Sequence, residues 1–123
     1  MNVVLWAAQL LTAAVFLFSG ATKVTWSKEK LLAKGQSGVV WLPVPLMRVI
    51  ALAELLGAIG LILPWWTGVA PVLTPLAAVG LSIVMIGAAI THLRLKEPGT
   101  ALLNLVILAL CVIIMIGRFA ALA

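Results

Sequence analysis

Three stretches of the chain carry no Lys, Arg, Asp or Glu: Met1 to Thr22, Leu55 to Leu93, and Pro98 to Gly117. A bilayer core takes about 20 apolar residues in a helix that rises roughly 1.5 Å per residue. The first and last stretches each match one crossing. The middle one is long enough for two and is broken by LPWWTGVAPVLTP, where Pro64, Gly68, Pro71 and Pro75 are suited to a turn and a helix start. Four helices are therefore predicted, over about residues 3–22, 46–63, 71–92 and 100–122, with a polar connection over about 24–45. The expected fold class is all-α: one domain over residues 1–123, a polytopic membrane protein built as a compact four-transmembrane-helix bundle.

Composition agrees with that solvent. The chain is 65% hydrophobic and 9% charged, with a mean hydropathy of +1.31, whereas soluble domains carry roughly 45–50% apolar and about 25% charged residues. The competing reading of the first span is a cleaved signal peptide. Its leading segment should be basic, yet MNVVLWAAQ holds no Lys or Arg, so the span reads as permanent.

With four crossings, Lys23, Lys28, Lys30, Lys34, Arg48, Arg94 and Lys96 fall on one side and Arg118 alone lies near the other. The positive-inside bias then sets both polar loops in the cytoplasm and both termini outside, in a bacterial inner membrane. The net charge of +5 is thus a topology signal and an attraction to anionic lipid. No soluble face exists to carry a nucleic-acid footprint. In the connection VTWSKEKLLAKGQSGVVWLPVP, Ser27 is placed to cap a short helix that Gly35 ends. Trp26, Leu31, Leu32 and Trp41 suit the headgroup level, which predicts either an interfacial helix or a solvated lysine-rich linker. Trp65 and Trp66 mark the opposite interface.

Polar groups inside spans are costly and face partners or cavities. On the first span Gln9, Phe16 and Lys23 recur every seven residues, with Thr12 and Ser19 nearby; on the last span Asn104, Cys111 and Arg118 do the same. Seven residues is nearly two turns, so each trio lies along one face. If the two antiparallel faces meet, Lys23 and Asn104 form one polar layer and Gln9 and Arg118 a second, with Phe16 and Cys111 between. Snorkelling to headgroups is the plainer expectation for Arg118.

Glu54 is the single carboxylate inside a predicted span, about 12 Å below the start of its helix. Arg48 sits roughly 120° around the same helix and is a poor partner. Lys23, from another helix, is the better one, and His92 and Asn104 reach the same depth. Lys23, Arg48, Glu54, His92 and Asn104 are therefore the candidate ligand-binding layer. The alternative is a structural role as interhelical hydrogen-bond glue.

The ordered set of FLFSGATK, RVIALAELLGAIGLILP, PLAAVGLSIVMIGAAITHL and a final span from Asn104 to Arg118 resembles the DoxX-like membrane proteins over nearly the whole chain. The matching features are Ser19-Gly20 with Lys23, Arg48, Glu54 followed by Gly57, His92 and Asn104. The resemblance implies a four-helix bundle, an association with quinone-linked or sulfur oxidation and oxidative-stress systems, and, in more distant relatives, assembly chaperoning of membrane receptors.

The residues themselves say little for catalysis. One cysteine allows no intramolecular disulfide, and Cys111 reads as packing. One histidine cannot ligate a haem twice, and there is no zinc or iron–sulfur cluster, phosphate loop, dinucleotide fingerprint or catalytic triad. No cofactor is identifiable, and an enzyme is not expected. The leading reading is an accessory or ligand-binding subunit for a quinone or other lipophilic molecule, with the bilayer, a partner membrane subunit or a second copy as partners. A scaffold or assembly chaperone is the alternative. A small proton-coupled exporter fits less well, because such proteins carry their essential glutamate on the first helix and this one does not.

Overall fold

The computed structural model describes residues 1–123 and contains five helices and no strand. Four are long: α1 (Asn2–Thr25), α3 (Val44–Thr67), α4 (Leu73–Arg94) and α5 (Pro98–Leu122). All four are long and apolar enough to cross a membrane, and their outward faces present Leu10, Phe18, Leu56, Ile83 and Ile116. Helices with apolar residues on every side are at home only where the surroundings are hydrocarbon. The chain is an integral, multi-pass, all-α membrane protein.

The helices form a ring in which α1 packs on α3, α3 on α4, α4 on α5, and α5 returns to α1. The core inside the ring contains Phe16, Leu61, Leu81, Ile107, Cys111 and Ile114. Small residues set the closest approaches, as lipid gives helices no hydrophobic reason to associate and tight backbone packing replaces it. Gly20 is the tightest of these against main chain: a Cβ there would lie 2.9 Å from Ala51 O and 2.8 Å from Leu55 Cγ. The bundle has two unlike ends. One carries the α1–α3 connection and the α4–α5 turn, hereafter the loop end; the other carries both termini and the α3–α4 turn.

The expected stop at Pro64 is corrected. α3 runs through Pro64 and ends at Gly68, whose φ of 76° is the left-handed conformation that glycine adopts without a Cβ penalty. Pro64 has no N–H, so Gly60 O loses its helical donor. Thr74 of α4 fills the vacancy, donating from Oγ1 to Gly60 O at 2.8 Å. At the next residue, Leu61 O accepts from Gln9 Nε2 of α1 at 2.5 Å. Proline inside a span is thus tolerated because a neighbouring helix satisfies the freed carbonyl. Pro71 lies in the turn before α4 rather than in the helix.

The connection holds a short helix, α2 (Lys28–Ala33), then a single 3-10 turn at Ser37–Val39. Ser27 caps α2 by accepting from Lys30 N at 3.1 Å. Gly35, at φ 90°, ends it with paired bonds from Gln36 N to Leu31 O and from Gly35 N to Leu32 O. Leu31 is corrected from headgroup level to interior: it is fully buried with Val39 and Met47, and these three fasten the connection onto the bundle. Leu32 and Trp41 remain exposed.

Candidate functional site

A cavity of about 580 Å³ lies at the loop end. α1 supplies Val15, Phe16, Ser19 and Lys23; α3 supplies Ile50 and Glu54; α4 supplies residues from Ile83 to His92; α5 supplies Thr100, Leu103, Asn104 and Ile107. Gln36, Gly38, Val39 and Leu42 of the connection complete it. Ile83 and Leu103, which line it, are 66% and 58% exposed, so the cavity communicates with the face turned toward lipid.

Glu54 is fully buried, and Lys23 Nζ donates to its Oε1 at 2.8 Å. The lysine side chain keeps 18% of its surface exposed, while its partner keeps none. The bond uses one carboxylate oxygen. Oε2 is buried and has no hydrogen-bond partner. Across the cavity Asn104 is also buried, and its Nδ2 has no partner either. Two residues that line the same space therefore each keep one orphaned polar atom, an acceptor and a donor, in surroundings where each unmade bond costs about 1–3 kcal/mol.

His92 Nδ1 meets Glu97 Oε1 at 2.8 Å, and Ser37 Oγ donates to the same oxygen at 2.8 Å. A carboxylate can only accept, so the proton of that contact belongs to Nδ1. The other ring nitrogen, Nε2, would lie 3.3 Å from a Cβ placed on Gly38. The two bonds, with His92 first and Ser37 second, hold the Glu97 carboxyl below its ordinary value of 4.5. Glu97 reaches His92 because the chain turns sharply after α4: Glu97 N bonds His92 O at 2.8 Å and Lys96 N bonds Leu93 O at 3.1 Å, with Lys96 left-handed at φ 60°. Further ties hold the connection in place. Gln36 Nε2 donates to Thr22 Oγ1 at 2.9 Å, and Lys28 Nζ to Leu42 O at 2.7 Å.

Arg48 is not in this layer, which corrects its assignment. Its Nη1 donates to Lys23 O and, at 2.8 Å, to Trp26 O. The guanidinium thus caps the C-terminal carbonyls of α1, where orphan acceptors and the negative end of the helix dipole both favour a cation. Its depth on α3 matches that of the α1 terminus rather than that of the cavity.

At the opposite end Arg118 is corrected from snorkelling to burial, being 2% exposed. Its Nε donates to Gln9 Oε1 at 2.7 Å and its Nη1 to Asn2 Oδ1 at 2.8 Å. The guanidinium carbon sits 4.5 Å from the Trp65 ring centre and 5.5 Å from that of Trp6. Phe16 and Cys111 are buried in the core between the two layers. No group of three or more His, Cys, Asp or Glu side chains stands close enough to hold a metal ion.

Sequence reasoning overlooked Glu97, Ser37 and Gln36. The signal for Glu97 is its five-residue spacing from His92 across a helix end, hidden because a lysine rather than a glycine takes the left-handed position. The sequence profile of the DoxX-like family matches residues 7–114, which takes in α3 and α4 whole, most of α1 and α5, and the polar residues of both layers except Arg118 and Asn2. No curated protein and no solved structure matches the chain. With most of its length covered by that profile and four apolar helices in the expected order, the chain belongs to the DoxX-like family.

Proposed function

We infer that this protein is an accessory membrane subunit that takes a lipophilic molecule with a polar head, of quinone type, into the loop-end cavity. The observation that carries this reading is that Glu54 and Asn104 line one space of about 580 Å³ and that each has a buried polar atom, Oε2 and Nδ2, without a hydrogen-bond partner. That volume is in the usual range of small-molecule sites, roughly 300–1,000 Å³. The donor set suits a quinone head: Asn104 Nδ2 can donate to a carbonyl oxygen, and Glu54 Oε2 can accept from a hydroxyl. Phe16, Ile83, Leu103 and Ile107 offer an apolar path for the tail. On this reading any redox step would run through the bound molecule and another subunit.

A protein in detergent titrated with decylubiquinone tests the reading. Thermal stabilisation that saturates, and that is lost in Asn104→Leu while the variant stays folded, is expected. Equal shifts in wild type and variant would count against it.

A second reading, a scaffold for partner helices, rests on a shallow groove of about 170 Å³ between α3 and α4, lined by Ala53, Gly57, Ala77 and Gly80. Small residues of this kind admit a close-packed helix. In either case the concentration of Lys and Arg at the loop end argues for that end in the cytoplasm.

A further inference from the structure

Arg118 raises a question that the loop-end cavity does not answer. A guanidinium is always protonated and has five N–H donors. Two are used, on Gln9 Oε1 and Asn2 Oδ1, both neutral amide oxygens. The three that remain include both on Nη2, which is buried and has no partner. The chain has three acidic side chains, and none is here: Glu54 and Glu97 are engaged at the loop end and Glu29 lies in α2 there; neither salt bridge of the chain involves Arg118. Helix dipoles do not supply the missing charge. The C-termini of α3 and α5 bring partial negative charge to this end, and the N-termini of α1 and α4 bring as much of the opposite sign. Trp6 and Trp65 offset part of the cost by presenting ring faces to the cation. They satisfy no N–H.

We propose that Asn2, Trp6, Gln9, Trp65 and Arg118 form a binding site for a phosphate-bearing anion at the termini end of the bundle. The guanidinium fork matches two oxygens of a phosphate through parallel N–H bonds. Gln9 fixes the orientation of the fork, since its Oε1 accepts from Nε while its Nε2 is anchored on Leu61 O beside the Pro64 break. Asn2 acts as a cover. It is exposed, it stands at the first residue of α1, and its amide oxygen occupies one position that an anionic oxygen would take. Rotation of that one side chain releases the Nη1 donor that it now holds, beside the unpartnered Nη2. The depth of the site and its two tryptophans match the membrane interface, so the phosphate comes either from a lipid headgroup or from a soluble anion. This site is independent of the loop-end cavity.

The test uses the full chain in nanodiscs, with Trp26, Trp41 and Trp66 changed to phenylalanine so that emission reports Trp6 and Trp65. Three conditions are compared at constant ionic strength: phosphatidylcholine alone, phosphatidylcholine with phosphatidylglycerol, and phosphatidylcholine with inorganic phosphate. A rise in Tm of about 3–6 °C with a change in tryptophan emission is expected in at least one of the latter two. A response to phosphatidylglycerol alone assigns a lipid headgroup, and a response to inorganic phosphate assigns a soluble anion. Arg118→Gln should abolish the response. Should that variant not fold, Asn2→Asp gives the second arm: a carboxylate supplied within the chain is expected to raise Tm in plain phosphatidylcholine and remove the anion dependence. No response to either anion, or an undiminished one in Arg118→Gln or Asn2→Asp, overturns the site and assigns any lipid effect to the lysines of the loop end.

Discussion

Lys23 Nζ and Glu54 Oε1 lie 2.8 Å apart between α1 and α3, and the bond leaves the other oxygen of the carboxylate without a partner. A buried pair that is fully bonded needs nothing further; one with an orphan oxygen beside a cavity is prepared for a donor. The same holds for Asn104 Nδ2 with the roles reversed. The predictions below separate what these groups do for stability from what they do for binding.

Removing one partner of a buried ion pair leaves the other charge uncompensated, at about 3–5 kcal/mol for a fully buried pair. Lys23 keeps some exposure, so Lys23→Met, which leaves Glu54 alone, should cost more than Glu54→Gln. The double change Lys23→Met with Glu54→Leu should cost less than Lys23→Met alone. Thermal or denaturant unfolding in detergent measures all three, and strictly additive losses would argue against coupling.

Glu97 makes stability depend on pH. Its carboxyl is held below 4.5 in the folded chain by His92 and Ser37, so it stabilises the fold fully above that value. The contribution is lost as pH falls through the lowered value. The Tm difference between wild type and Glu97→Gln should be constant above about pH 5 and shrink as the pH drops well below 4.5. A difference that holds unchanged to pH 3 would mean that these bonds contribute nothing.

Pro64 and Thr74 should be coupled. Thr74→Val alone orphans Gly60 O and should cost about 1–2 kcal/mol. Pro64→Ala restores a helical donor to that carbonyl, and in this background Thr74→Val should be close to neutral. A double-mutant cycle reads the difference, and zero interaction energy would show that the two groups do not share the carbonyl.

Gly20→Ala should destabilise by about 1–3 kcal/mol, because Ala51 O is main chain and α1 and α3 must part to admit the methyl group. Gly80→Ala is the matched control. Nothing lies within 4 Å of its added Cβ, so this change should be neutral or slightly stabilising. Equal effects at both positions would mean that helix propensity, and not close packing, sets the outcome.

The spans and their polar stripes were legible because hydrocarbon allows so few solutions: a charge-free run must be a helix, and a carboxylate inside one must be answered. Lys23 with Glu54 follows from depth alone, and Gln9 with Arg118 from a seven-residue spacing on antiparallel helices. Three features were not legible. Arg48 has the right depth to cap α1, yet its role depends on where that helix ends, and α1 continues to Thr25. Pro64 reads as a helix stop because its rescue by Thr74 comes from another helix. Glu97 lies in a loop in sequence but returns to His92 through a turn whose left-handed residue is a lysine. Each miss involves a contact made by tertiary packing at a helix end, where pattern and propensity say least.

A density map of the bundle in nanodiscs formed directly from its own membrane examines the loop-end cavity most directly. Elongated density is expected there, its polar end within hydrogen-bonding distance of Glu54 Oε2 and Asn104 Nδ2 and its tail running past Ile107 toward lipid. A collapsed cavity in which those two atoms bond to protein groups would contradict the assignment of a ligand site.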